Sequence, residues 1–209
     1  MLGSICKTRK RLTRQESKAQ TRAALLTVAR AHFLRYGLGG AVADKIAEDA
    51  GFSRGALYCN FESMEDLFLA VIEQEHARYK EKFDRLCGDG PPCKDQIHLM
   101  RDAIADMVTD RDWVILRAEY EAGALVSERL RRGFAAMHRE QVRHGCDRIR
   151  DLQNESGVEL SLKPDDFIMV MLNLSHGLAV TQRILGSELS QKDTRRLIQN
   201  LFDRLIAVS

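Results

Sequence analysis

Apolar residues recur every three or four positions through most of the chain, which is the spacing of one face of an α-helix. The first such stretch follows Thr13 and Glu16, whose spacing of three predicts a capping box at a helix start. A cluster of glycines predicts its end. Two shorter helices are predicted over residues 42–50 and 54–60, with Gly51 between them. The pattern therefore predicts one long and two short helices in the first sixty residues.

The helical pattern continues to the end of the chain. Longer helices are predicted from Ser63 to about Leu86 and over residues 96–108, 112–123, 127–155, 165–186 and 190–207. Only 3 Pro and 14 Gly occur among 209 residues, so little interrupts them. The sequence therefore predicts an all-α fold of about nine helices.

The two short helices joined at Gly51, after a longer helix, are typical of a helix-turn-helix motif. A helix of about two turns buries little of itself, so one side stays available to a DNA groove. A generic helical hairpin would give the same pattern. We predict a basic arm over residues 1–12, a three-helix DNA-binding head over residues 13–62, and a helical ligand-binding and dimerisation domain over residues 63–209.

The charges favour the same division. Residues 1–61 carry 11 basic and 4 acidic side chains, a net charge of +7, whereas the rest of the chain carries a net charge of −5. A basic segment ahead of an acidic body favours a nucleic-acid-binding head, although a solvated basic face has the same composition. The basic arm is expected to reach a flanking minor groove.

The most apolar stretch, residues 167–185, has apolar side chains all round its predicted helix. Polar residues interrupt it, so we expect no membrane span. One face would meet the protein's own core and the other a second copy, together with the last helix. A core helix of a monomer is the alternative. The residues expected at the dimer interface are Leu172, Val180, Ile184, Leu197, Leu201, Phe202 and Leu205.

The chain has no sequence motif of an enzyme or a metal site. Its five cysteines are scattered without a CxxC pair, which predicts reduced thiols and no zinc site. We find no GxSxG, phosphate-binding glycine loop or HExxH motif. The N-terminal residues lack the apolar run of a secretory signal. We therefore predict a cytoplasmic protein that is not an enzyme and needs no cofactor or metal.

The segment GFSRGALYCNFESMEDLF, residues 51–68, resembles the tetracycline-repressor (TetR) family of bacterial transcription regulators. The resemblance extends from about Ser17 to Val71 and includes TRAALLTVARAHFLRYG and IAEDAG in the family's order. It implies a nucleoid-associated homodimer whose heads bind a palindromic operator in double-stranded DNA. Its body would hold a small-molecule effector that releases a repressor. An activator, or a DNA binder that responds to no ligand, has the same fold.

By position, the resemblance makes residues 54–60 a recognition helix in the major groove, with an arginine that reads guanine and a tyrosine that contacts phosphate or a base edge. The family usually has Lys at position 64 and Thr or Ser at the start of the second helix. This chain has Met64 and Val42 there, so two phosphate contacts are expected to be missing. The DNA-contacting residues expected are Ser53, Arg54, Gly55, Ala56, Tyr58, Cys59, Asn60, Lys45 and Arg14.

The resemblance also places an effector pocket between helices of the body, within residues 96–185. The candidate lining residues are Met100, Ile104, Trp113, Leu116, Tyr120, Phe134, Met137, Met169, Asn173 and His176. Each of them would serve equally well in a plain hydrophobic core. The set is mostly apolar with few polar groups, so we expect a mostly apolar effector. The helix from Ser63 to about Leu86 is expected to couple the pocket to the head.

Overall fold

The computed structural model describes residues 13–87 and 94–208. The predicted basic arm, residues 1–12, lies outside the described residues. The predicted all-α architecture is confirmed, with the addition of two short strands and one 3₁₀ turn at Gly186–Glu188. The elements in the described part are α1 (Arg14–Gly40), α2 (Ala43–Asp49), α3 (Arg54–Tyr58), α4 (Met64–Cys87), α5 (Lys94–Met107), α6 (Arg111–Val126), α7 (Glu128–Ser156), β1 (Val158–Leu160), α8 (Pro164–Leu185), α9 (Gln191–Leu205) and β2 (Ile206–Val208).

Helix starts follow the local chemistry that the sequence predicts. The Thr13 hydroxyl accepts a hydrogen bond from the Glu16 amide at 3.1 Å, and the Glu16 carboxylate accepts one from the Thr13 amide at 2.7 Å. This is the predicted capping box. Ser127 caps α7 through the amide of Leu130, and Pro164 occupies the first turn of α8.

Residues 1–68 include a first compact unit built from α1, α2, α3 and the start of α4. Its core lies between α1 and the short helices, and Phe33 meets Phe68 edge-on with ring centroids 5.0 Å apart. The turn between α2 and α3 requires a left-handed residue, which Gly51 supplies at φ 78°. The fully or nearly fully buried residues of this core are Leu25, Ala29, Phe33, Ile46, Ala47, Leu57, Phe61, Leu67 and Phe68.

Residues 69–209 include the second unit, which holds the larger core. Phe167 of α8 and Phe202 of α9 meet there edge-on, with ring centroids 5.5 Å apart. Strands β1 and β2 pair antiparallel, with Val158 opposite Val208 and Leu160 opposite Ile206. The sequence predicted a loop at β1, since three residues are too few to show an alternating pattern.

Helix α8 with the turn after it, Pro164–Glu188, is long and apolar enough to cross a membrane by length and composition alone. Its polar residues therefore do not exclude a span, contrary to our sequence argument. Core helices of soluble proteins pass the same test. In this unit α8 packs against α6, α7 and α9, and it buries Phe167, Ile168 and Met171 in the core. Its packing therefore favours a bundle helix.

Candidate DNA-binding face and effector cavity

Helix α3 presents a polar, exposed side in the first unit. The Ser53 hydroxyl caps it by accepting a hydrogen bond from the Ala56 amide at 3.2 Å. Leu57 is fully buried and anchors the helix from behind. Arg54 and Tyr58 lie one turn apart on the outer side, and the Tyr58 side chain is 39% exposed. This arrangement leaves an arginine and a tyrosine available to a DNA groove.

An acidic residue holds the arginine of this face. Arg54 donates from Nη1 to Asp44 Oδ2 of α2 at 3.1 Å, and both side chains are more than half exposed. The Arg54 guanidinium also lies 5.4 Å from the centroid of the Tyr58 ring. An arginine that hydrogen-bonds a carboxylate must leave it before it can bind a base in the same way. Asp44 therefore holds Arg54 in the absence of DNA and would compete with a DNA base for it.

Arg22 supports the end of α3, a role that the sequence analysis missed. It donates from Nη1 to the carbonyl oxygen of Asn60 at 3.1 Å. Its guanidinium lies 4.3 Å from the centroid of the Phe61 ring. A partly buried arginine thus fixes the end of α3 against α1. The partners are 38 positions apart in the sequence, so no local pattern indicates their contact.

The other residues predicted to contact DNA differ in how accessible they are. Gly55, Cys59, Lys45 and Arg14 are exposed, whereas Ala56 and Asn60 are partly buried. Asn60 donates from Nδ2 to the carbonyl oxygen of Ala56 at 2.8 Å. Lys45 donates to Glu48 at 2.7 Å on the surface of α2. The structure therefore places Ser53, Arg54, Tyr58 and Cys59 together along α3 and its two caps. The Asn60 side chain, in contrast, is hydrogen-bonded to the backbone of that helix.

A cavity of about 110 Å³ with an open mouth lies in the second unit. Its wall is mostly apolar with a few polar groups, as the walls of small-molecule sites usually are. Two of the predicted residues, Met100 and Ile104, line it. The sequence analysis did not name the side chains that α4 and α7 contribute. The other lining residues are His76, Tyr79, Lys80, Phe83, Met107, Glu140, Gln141, His144, Gly145, Ile168, Met171 and Leu172.

The charged groups around this cavity are mostly paired. Asp84 accepts from Lys80 at 3.1 Å and lies 2.8 Å from His144 Nε2. Burial raises the pKa of Asp84, but these two partners outweigh burial and hold that pKa below its ordinary value. Glu140 pairs with Arg143 in the same way. Gln141 Oε1 is buried without a hydrogen-bond partner among the described residues. The cavity therefore offers an apolar interior with few uncommitted polar atoms.

A second cavity lies beside the first, and its free volume of about 10 Å³ has room for about one water-sized group. Met107 and Leu172 line both cavities and therefore separate them. Trp113 and His176, two predicted pocket residues, line the small cavity together with Arg117. Only 2% of Arg117 is exposed, which is unusual for a charged side chain.

The remaining predicted pocket residues lie elsewhere in the second unit. Tyr120 meets Phe134 edge-on at 5.3 Å, and both lie apart from the two cavities, as do Leu116 and Met137. Asn173 is exposed and donates to the carbonyl oxygen of Met169, which is 45% exposed. The structure does not bring these six residues to either cavity.

Helices α8 and α9 leave apolar side chains on the surface of the second unit. Ile184 is 77% exposed and Leu197 43% exposed. Other predicted interface residues, namely Leu172, Val180, Leu201 and Leu205, are only partly buried against the unit's core. Phe202 is fully buried inside the unit, so it is not available to a second copy. Residues outside the prediction extend the exposed apolar surface: Met169, Val170, Leu174 and Leu185.

Among the described residues, no group of three or more His, Cys, Asp or Glu side chains lies close enough to hold a metal ion. The buried Cys146 donates from Sγ to Asp165 at 3.1 Å. Burial, with this neighbouring carboxylate, raises the pKa of the Cys146 thiol to about 12. This thiol is therefore a poor nucleophile.

Comparisons with known proteins agree with the geometry. The family described as bacterial regulatory proteins, tetR family, matches residues 25–71. The HTH-type transcriptional repressor Rv1474c of Mycobacterium tuberculosis is 26% identical over 184 residues, which cover 88% of this chain and 90% of that protein. The HTH-type transcriptional repressor AcnR of Corynebacterium diphtheriae is 33% identical over 95 residues, 46% of this chain and 45% of that protein.

Solved structures share the fold of the whole chain. A TetR-family transcriptional regulator from Rhodococcus sp. superposes with a TM-score of 0.77 at 24% identity, covering 90% of this chain and 100% of that one. Over residues 25–71 the chain matches the tetR family of bacterial regulatory proteins. Over most of its length it is similar to the repressor Rv1474c and shares the fold of the Rhodococcus regulator.

Proposed function

We propose that the chain is a homodimeric repressor that binds a palindromic operator and is released by a small, mostly apolar effector. The observation that carries the proposal is the exposed side of α3, where Arg54 and Tyr58 project from a helix anchored by buried Leu57. An arginine fork matches the acceptor pair of guanine in the major groove. Two such helices, related by twofold symmetry, would read the two halves of a palindrome.

The proposed dimer is supported by the apolar surface of α8 and α9. Ile184, Leu197 and Leu174 are exposed there at 77%, 43% and 42%. A cluster of large apolar side chains on two adjacent helices is typical of a protein–protein interface. Two copies related by a twofold axis would bury it in a self-complementary contact. Phe202 is excluded from this proposed interface because it is buried within its own chain.

The proposed effector site is the large cavity of the second unit. Methionine, isoleucine and phenylalanine supply six of its fourteen lining residues, and methionines adapt to ligands of irregular shape. Helix α4 contributes His76, Tyr79, Lys80 and Phe83, and the same helix begins six residues after α3 ends. We propose that an effector acts on the head through α4, by binding better to a form whose heads have the wrong spacing for DNA. A shift from mostly bound to mostly released requires ~2–5 kcal/mol of differential affinity.

Selection of binding sites from a random oligonucleotide pool tests the DNA-binding role. We expect the selected sites to be palindromic. Arg54→Met should lose about 5- to 150-fold in affinity for this site and should no longer discriminate at one base pair of each half-site. Arg35→Met is the matched control, since it removes one exposed positive charge from the same unit outside α3. This control should lose only a few-fold in DNA affinity, and the loss should be equal on every sequence. A selected site without symmetry, or an equal loss for the two variants, would reject the proposal.

Three further measurements separate the parts of the proposed function. Sedimentation of the full chain at micromolar concentration tests the dimer, and Ile184→Asp should convert it to a monomer. Footprinting at the target promoter distinguishes a repressor, whose operator overlaps the promoter, from an activator, whose site lies upstream. Cross-linking the two heads while the dimer is on its operator should abolish release by an effector without preventing effector binding. Release that survives the cross-link would contradict coupling through α4.

A further inference from the structure

The proposed effector site has a neighbour with unusual chemistry. The small cavity is lined by Arg117 of α6, which is fully enclosed within the second unit. Arg117 donates from Nε to Glu121 Oε1, one turn along the same helix, at 3.1 Å. Its Nη2 is buried and has no hydrogen-bond partner among the described residues. A buried guanidinium normally satisfies its donors, so this nitrogen is a candidate to meet a ligand.

The carboxylate beside Arg117 has a second neighbour. Glu121 is the ion-pair partner of Arg117, and His176 Nε2 of α8 lies 3.0 Å from the second oxygen of the same carboxylate. One carboxylate is therefore shared between a permanent cation and an imidazole. Both of its oxygens face other groups, so Arg117 Nη2 needs a different acceptor.

The positive charge of Arg117 lowers the pKa of two neighbouring histidines. Burial lowers the pKa of His138, and the positive charge of Arg117 lowers it further. Burial likewise lowers the pKa of His76, a residue of the large cavity, and Arg117 adds to this effect against the opposing charge of Glu140. The guanidinium therefore acts electrostatically on the wall of the large cavity as well as on the small one.

Two side chains belong to the walls of both cavities. Met107 and Leu172 each line both of them, and a methionine side chain rearranges easily. A ligand whose apolar part fills the large cavity would extend a head group between these two side chains. One oxygen of that head group would enter the small cavity and reach the unpartnered donor of Arg117.

We propose, on the basis of the effector role proposed above, that the effector is an amphipathic monoanion: an apolar body in the large cavity and a carboxylate bound by Arg117. A carboxylate matches the guanidinium in shape and completes its hydrogen bonding with a charge-assisted bond. Water would supply an acceptor but no charge. A cationic ligand is disfavoured because Arg117 would repel it.

Calorimetric titration of the full-length protein tests the assignment with three probes of equal chain length: decanoate, 1-decanol and decyltrimethylammonium. We expect decanoate to bind at least tenfold more tightly than decanol, the fold-change expected of one charge-assisted hydrogen bond. We expect the ammonium compound to bind most weakly. A decanoate affinity equal to that of decanol, or a preference for the ammonium compound, overturns the proposal.

Two variants locate the carboxylate. Arg117→Met should bring the ratio of the decanol and decanoate dissociation constants close to one. Ala179→Leu fills the small cavity, since Ala179 lines that cavity and not the large one, and should have the same effect while Arg117 is retained. Arg101→Met, which removes an ion-paired arginine outside both cavities, should keep the preference. Loss of the preference in Lys80→Met instead of Arg117→Met would assign the anion to Lys80 and overturn the proposal.

The titration also separates this inference from the proposed function. If decanol binds and decanoate gains nothing, the cavity takes apolar ligands and only the carboxylate assignment fails. If none of the three probes binds, the effector role of the large cavity fails, and the assignment fails with it.

Discussion

The ion pair between Arg54 and Asp44 makes a specific prediction about DNA affinity. Arg54 Nη1 lies 3.1 Å from Asp44 Oδ2, and the two side chains are 62% and 57% exposed. In the proposed complex, Arg54 would exchange this carboxylate for a guanine edge. Asp44→Asn removes the competing charge and keeps the shape of the side chain. We therefore expect this variant to bind its operator more tightly than the natural sequence.

The size of the gain follows from the exposure of the pair. Solvent-exposed ion pairs contribute about 0.2–1 kcal/mol, because water screens them. At about 1.4 kcal/mol per factor of ten, release of this pair corresponds to roughly a 1.4- to 5-fold gain. The lost carboxylate also stops repelling phosphates, which adds to the gain at low salt and disappears as salt is raised. The expected total is about two- to tenfold at low ionic strength.

Fluorescence anisotropy with a selected operator, measured over a series of salt concentrations, provides the assay. Asp49→Asn is the matched control, because it removes one exposed acidic charge from α2 whose ion partner is His32, a residue outside the predicted DNA contacts. It should show only the part of the gain that depends on salt. In an Arg54→Met background, Asp44→Asn should give no more than this control.

Two results would refute the reasoning. Weaker binding by Asp44→Asn would mean that Asp44 positions Arg54 for DNA and does not compete with it. A gain that persists in full after Arg54 is replaced would mean that the ion pair has no part in it. Either outcome would leave α3 as the DNA-binding helix but change the role of α2.

Two other predictions concern the second unit. Gly133→Ala should lower the free energy of unfolding in urea by about 1–3 kcal/mol, because the added Cβ would lie 2.6 Å from the Tyr120 hydroxyl and 2.8 Å from Leu69 Cδ2. Gly39→Ala is the control: its added Cβ would have no atom within 4 Å, so this variant should be neutral or stabilising. Equal losses of stability in the two variants would contradict the prediction. Asp110→Ala removes the cap of α6 and should lower the stability by about 0.5–2 kcal/mol at neutral pH. Burial raises the pKa of Asp110, but hydrogen bonds from Tyr79 and the Trp113 amide outweigh burial and hold that pKa below the ordinary value of 3.8. The stabilisation by Asp110 is therefore complete above pH 3.8 and is lost as the pH falls through the folded-state pKa. The difference in stability between the natural protein and Asp110→Ala should therefore narrow in acid. A difference that widens in acid would be inconsistent with this sign.

Local chemistry made the helices predictable from the sequence. The capping box at Thr13, the cap at Ser127 and the proline at position 164 each act within one turn, so their signal lies within a few adjacent residues. The turn at Gly51 is equally local, because it depends on one left-handed residue. These features were sufficient to predict the helix-turn-helix and the number of helices.

The contacts that shape the candidate sites are not local. Arg22 reaches Asn60 across 38 residues, and Arg117 depends on His176 of another helix through Glu121. Apolar periodicity indicates that the face of α9 bearing Phe202 is buried, but it does not say whether the same chain or a second copy buries it. The cavity wall on α4 was missed because the pocket was expected within residues 96–185. The helical spacing of Tyr79 and Phe83 indicates an apolar face, but it does not say that this face lines a cavity.

The antiparallel ribbon of β1 and β2 has a consequence for motion in the second unit. Strand β2, which follows α9, is hydrogen-bonded to β1, the strand that follows α7. The far ends of α7 and α9 are thereby tied to each other through their backbones. The amide hydrogens at these two helix ends should exchange with solvent in one concerted opening, because neither end can unfold while the other stays folded.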